Sequence, residues 1–172
     1  MSSGAPKYGI TNIDYVHELI HRGLYFAVSH LFKAVSDEAY VYIRIKTGAV
    51  EIHPFITVNS EGKAYVSMYR EAAVADGTVL LITHFNDEKD RRSLIDSIFY
   101  HTPTVDSSPG TIWFPERLLV GGTGPKSNGG EVQAREELYL EKNHEYLLAV
   151  QNQGGAAKDI NINIGFYPHD IT

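Results

Sequence analysis

Apolar side chains recur at every second position through much of the chain, and such alternation places successive side chains on opposite faces of a pleated strand. The pattern is clearest near the C-terminus, where Ile160, Ile162, Ile164 and Phe166 alternate with Asp159, Asn161, Asn163 and Gly165. One apolar and one polar face predicts a half-buried antiparallel strand. Val41, Ile43 and Ile45 alternate in the same way with Tyr42, Arg44 and Lys46, and Ala64, Val66 and Met68 with Tyr65, Ser67 and Tyr69. Between them Ile52, Ile56 and Val58 continue the period up to Asn59-Ser60-Glu61-Gly62, a turn-forming cluster that predicts a hairpin. Further strands are expected over 24–32, 79–85, 111–114, 138–140 and 146–151.

Turn chemistry separates these segments, at Lys46-Thr47-Gly48, Ala75-Asp76-Gly77-Thr78, Ser108-Pro109-Gly110-Thr111 and Lys142-Asn143-His144. Two stretches break the rhythm. Asn12 to Gly23 reads as a short helix, with Asn12 or Asp14 as its N-terminal cap and Gly23 as its stop. Gly121 to Gly130 reads as a long glycine-rich loop. Almost nothing helical follows Gly23, which excludes an alternating α/β chain. The expectation is an all-β, antiparallel two-sheet sandwich of jelly-roll type, with an N-terminal arm or short helix over residues 1–22 and the sandwich over 23–172.

Composition narrows the function classes. A length of 172 residues suits one domain, and the 43% hydrophobic content is ordinary for a globular chain. The longest apolar runs, such as Val79 to Ile82, are far too short to cross a bilayer, so no membrane partner is expected. No secretory signal is visible in the first nine residues, and synthesis in a cytoplasm is expected. The formal net charge of -6 argues against nucleic acid, which is held by clustered Lys and Arg. The run Asp87-Glu88-Lys89-Asp90-Arg91-Arg92 mixes signs and reads as a solvated loop. There is no cysteine, hence no disulfide and no thiolate metal site.

One motif has chemical content. His17-Glu18-Leu19-Ile20-His21 matches the H-E-x-x-H signature, in which two imidazoles one helical turn apart share Zn²⁺ and the glutamate acts as general base on a metal-bound water. Against a peptidase, Arg22 sets a cation beside the site, Gly23 ends the helix at once, and Ala27 stands where the extended motif has its third histidine. His30, Glu38 and His53 are unsupported as third ligands, so no metal, cofactor or catalytic residue is expected. Gly121 to Ser127 loosely resembles a phosphate loop, but Pro125 interrupts the Gly-Lys pair and removes a backbone donor. The eleven tyrosines and Trp113 either fill cores and sheet faces or form a sugar-stacking or protein-contact surface.

Several short segments, spread along the chain, resemble those of tailed-bacteriophage capsid decoration or cement proteins. They are His21-Arg22-Gly23 with Phe26, Asp76-Gly77-Thr78 before a strand, Asn86 with Arg91-Arg92, and His101-Thr102-Pro103-Thr104-Val105 before Gly110-Thr111. The glycine-rich loop, Glu136-Glu137-Leu138, Tyr146-Leu147-Leu148 to Asn152, and Gly165-Phe166-Tyr167-Pro168-His169 complete the set. Pro168 departs from the acidic residue expected after the aromatic pair. The resemblance implies a virion structural protein without catalysis, binding the major capsid protein as a dimer or trimer on the capsid surface. The alternatives are a carbohydrate-binding or tail-fibre module, and a small zinc peptidase using residues 17–21.

Overall fold

The computed structural model describes residues 12–105, 109–119, 131–133 and 138–169. Helix α1 (Asn12–Arg22) leads into β1 (Phe26–Val35), β2 (Tyr40–Lys46), β3 (Ile52–Ser60) and β4 (Ala64–Arg70). An insertion then carries β5 (Val74–Ala75), β6 (Thr78–Val79), β7 (Thr83–His84), two 3-10 turns (Asp87–Lys89 and Arg92–Leu94), β8 (Ile98–His101) and β9 (Thr104–Val105). The chain closes with β10 (Thr111–Leu119), β11 (Glu131–Gln133), β12 (Glu145–Asn152) and β13 (Lys158–Pro168).

The pairing is nested. β1 pairs with β13, β2 with β12, β3 with β11 and β4 with β10, all antiparallel. This is a long antiparallel ribbon rolled up on itself. Rolling adds the pairs β3 with β13 and β4 with β12, giving four-strand cores β11-β3-β13-β1 and β10-β4-β12-β2 in two facing sheets. An eight-stranded jelly roll is defined by this connectivity. The insertion extends both sheets on one flank, β7 beside β1 and β8 then β6 beside β2, while β5 and β9 form a separate small ribbon.

The alternating positions behave as their period requires. Val41, Ile43 and Ile45 face Ile160, Ile162, Ile164 and Phe166 across one continuous core, with Val66, Met68, Leu148 and Val150. Tyr146, Trp113 and Phe99 belong to the same interior. Three expectations need correction. Asn59 to Gly62 does turn the chain, but β3 and β4 lie in different sheets and form no hairpin, because each bonds a strand from the C-terminal half. The segment 79–85 is not one strand: its ends, β6 and β7, join opposite sheets, and the intervening residues cross the flank of the sandwich. Residues 138–140 contribute only a single bridge, Leu140 to Ile52.

The helix ends as its sequence requires. Gly23 has φ +70, its N–H donates to the Ile20 carbonyl at 2.9 Å, and the Leu24 N–H donates to the Leu19 carbonyl at 2.9 Å. This pair of bonds is a Schellman stop, and Leu19 and Leu24 supply its apolar contact by packing with Tyr167. Tyr25 and Phe55 flank that cluster, so α1 covers one end of the outer face of the five-stranded sheet. The side chains of residues 12–14, which include both proposed caps, lie outside the described residues, as do residues 1–11 of the arm, Ser108, the loop 121–130 and Glu136-Glu137.

Candidate interaction face

His17 and His21 lie on one face of α1, as their spacing demands, with Nε2 atoms 3.0 Å apart and rings nearly perpendicular. Glu18 faces Arg22, 3.9 Å away on the next turn. No third histidine or carboxylate joins the pair into a group able to hold a metal ion among the described residues. The other residues considered as ligands lie elsewhere. His30 stacks on His101 at 3.8 Å, His53 contacts His169 at 2.7 Å and stacks on Tyr167, and Glu38 sits in the turn between β1 and β2 with φ 62. The peptidase constellation is therefore not assembled by these residues.

The aromatic residues divide instead between core and surface. In β2, β4 and β12 the inward positions are Val41, Ile43, Val66, Met68, Leu148 and Val150, which leaves their neighbours pointing away from the core. Register then assembles three outward rows. Tyr40, Gln151 and Tyr65 form the first, Tyr42, Ala149 and Ser67 the second, and Arg44, Leu147 and Tyr69 the third. Flanking strands lengthen the rows, with Leu118 beside Tyr65, Ile112 beside Tyr69, and Tyr100 followed by Val79 beside Arg44. Among the described residues the outer face of the six-stranded sheet thus carries five tyrosines and a margin of exposed aliphatic side chains. Leu81, 88% exposed, follows β6 in the segment that crosses the flank.

Burial and charge confirm that these groups form one surface. Leu147, 0% exposed, and Ala149, 2% exposed, are buried although neither belongs to the interior cluster: Arg44 and Tyr69 flank Leu147, and Tyr42 stands beside Ala149. Tyr40 and Tyr42 lie with rings 5.8 Å apart and planes within 7°. Burial raises the Tyr42 phenol pKa, and the neighbouring Tyr40 and Tyr69 phenols raise it further. Arg44, only 5% exposed, sits under Tyr100 with 5.5 Å from its guanidinium carbon to the ring centre. It donates to Glu145 at 2.7 Å and to Asp76 of the insertion, tying that segment to the sheet. Lys63 stands over Tyr65 at 5.2 Å.

The opposite outer face has a different character. Around β13 it presents Ser29, Asn161 and Asn163, with a Ser29 to Asn163 hydrogen bond of 2.6 Å, and Tyr25 lies across Gly165. Gly165 has no side chain because a Cβ there would collide with the Tyr25 hydroxyl. Between the sheets, Ile56, Val58, Val66, Met68, Phe114, Leu138 and Leu148 surround a cavity of about 20 Å³, all of them apolar. Such a void is too small for a substrate.

No family model matches the chain, and no curated protein does. Among solved structures, the insecticidal delta-endotoxin Cry8Ea1 of Bacillus thuringiensis aligns over 78% of this chain with 9% identity and a TM-score of 0.32. This chain covers only 19% of the endotoxin's length. PirA aligns over 83% of this chain and 93% of its own, with 8% identity and a TM-score of 0.27. A chain of the cyanophage Pam1 capsid asymmetric unit aligns over 97% of this chain and 93% of its own, with 13% identity and a TM-score of 0.25. Likenesses this weak carry no functional weight, and the jelly-roll assignment rests on the nested strand pairing.

Proposed function

We propose that this chain is a virion structural protein that decorates or cements the head of a tailed bacteriophage. It docks across assembled subunits of the major capsid protein and carries out no catalysis. The observation that carries the reading is the tyrosine-rich outer face of the six-stranded sheet. Tyrosine buries a large area at small entropic cost and keeps a polar tip for water or a partner carbonyl, which suits protein contacts. Fold alone leaves function open, since jelly rolls serve capsids, lectins and enzymes alike. The segmental resemblance to decoration proteins favours the first of these.

Docking across a lattice stabilises only the assembled shell, because a contact spanning two subunits is lost when they separate. A dimer or trimer would gain further from simultaneous footholds on a repeating array. The test mixes purified protein with capsids lacking it, sediments the shells and measures occupancy and shell melting. Saturable co-sedimentation at micromolar concentration and a raised melting temperature are expected. Replacing both Tyr40 and Tyr65 by Ser should weaken binding about tenfold or more, the effect expected for aromatic anchors, in a variant whose own melting transition shows it still folded at the assay temperature.

A second reading is favoured by the nearly coplanar Tyr40 and Tyr42 rings, which offer a stacking surface for a sugar. Binding to glycans or host cells without any co-sedimentation would replace the capsid assignment by a carbohydrate-binding or tail-fibre module.

A further inference from the structure

The histidine pair of α1 is used neither by the sandwich core nor by the tyrosine face. Both side chains are exposed, and their Nε2 atoms approach to 3.0 Å. Two imidazole nitrogens bound to one metal at about 2.0–2.1 Å lie about 2.9 Å apart when the ligands are at right angles, and about 3.4 Å apart in a tetrahedron. The 3.0 Å contact is a hydrogen bond between the two rings, and it already brings both nitrogens within the spacing at which two imidazoles can share one metal.

We propose that His17 and His21 form an open, two-imidazole site on α1 for a divalent transition-metal cation, Cu²⁺ foremost. Water completes the coordination, which separates this site from the three-ligand centre of a peptidase. The site needs no movement of the backbone, because one turn of helix sets the spacing. His21 lies in the last turn, where the negative end of the helix dipole favours a cation.

The local frame is held firm. The Schellman stop at Gly23 closes the helix one residue after Arg22, and Asn86 donates through Nδ2 to the Ile20 and His21 carbonyls at 3.1 Å each. Arg22 is the opposing charge, and its direction toward Glu18 draws it along the helix surface. Cu²⁺ binds ahead of Ni²⁺ and Zn²⁺ by the general order of first-row affinities.

The experiment titrates the full chain with Cu²⁺ at pH 7.5, following calorimetry, nitrogen hyperfine structure in the electron paramagnetic resonance spectrum, and melting temperature. One equivalent at micromolar affinity is expected, with a higher melting temperature in Cu²⁺ than in chelator. His17→Ala and His21→Ala should each weaken binding at least about tenfold, because the remaining imidazole loses its chelate partner. The double variant should melt like the wild type in chelator, since both positions are exposed, and should lose the Cu²⁺ shift. His169→Ala, which disrupts the hydrogen-bonded His53–His169 pair, should bind Cu²⁺ as the wild type does. Absence of binding, or binding kept by the double variant or lost in His169→Ala, overturns the proposal.

Discussion

At the scale of single residues, the period-two pattern assigns inside and outside along β13 without ambiguity. Ile162 is 1% exposed in the core, whereas Asn161 beside it is turned toward the outer face. Ile162→Asp should therefore unfold or aggregate the protein, because an unpaired carboxylate would be trapped among aliphatic side chains, while Asn161→Asp should fold normally. Soluble yield and thermal melting compare the two directly, and equal tolerance would show the strand faces to be reversed. Asn152 was not distinguished by its sequence neighbours. It is wholly buried, donating to the Val35, Ser36 and Ala156 carbonyls and accepting from the Gly154 N–H, and so joins the ends of β1 and β12 to the turn before β13. No periodicity marks such a residue, since its partners lie more than a hundred positions away as well as next to it.

At the scale of elements, local chemistry was legible wherever the partners are local. The end of α1 follows from Gly23 alone, because its positive φ suits glycine and its neighbours complete the capping bonds. A Cβ at that position would also collide with the Lys89 carbonyl oxygen. Gly23→Ala should accordingly cost more than about 1 kcal/mol, the penalty for glycine's conformation alone. Urea unfolding measures the loss, and an unchanged midpoint would mean that the insertion and helix end move apart freely. The expected hairpin between β3 and β4 failed for the opposite reason. Turn residues announce that the chain reverses, but only hydrogen-bonding partners decide whether the reversal stays in one sheet. Here both strands are satisfied by β13 and β12, which arrive only near the end of the chain.

At the scale of the whole molecule, the two sheets meet at the insertion flank through His30 of β1 and His101 of β8, stacked 3.8 Å apart with Phe32 against His30. Burial lowers the His30 pKa, and the proximity of His101 lowers it further. The unfolded chain therefore takes up the proton at a higher pH than the folded one does, near the ordinary value of about 6.5. This part of the stability is complete above that value and is lost as pH falls through the folded pKa. Urea midpoints should decline as pH falls below about 6.5, and His30→Phe should flatten the decline. A wild-type profile unaffected by the substitution would refute the assignment.

The amino-acid sequence by itself determined the all-β class, the inward and outward residues of the main strands, the short helix and its glycine stop. These depend on periodicity and on contacts within a few residues, which are properties of a local backbone geometry. Tertiary structure alone decided the nested pairing, the division of residues 79–85 between two sheets, and the partnership of Arg44 with Asp76 and Glu145. The tyrosine face belongs to that second group. Alternation shows that Tyr42, Tyr65 and Tyr69 point away from a core, but they share one surface only because β12 enters between β2 and β4. That insertion is selected by the burial of Leu148 and Val150 against both neighbours, a long-range packing free energy that no local window of sequence contains.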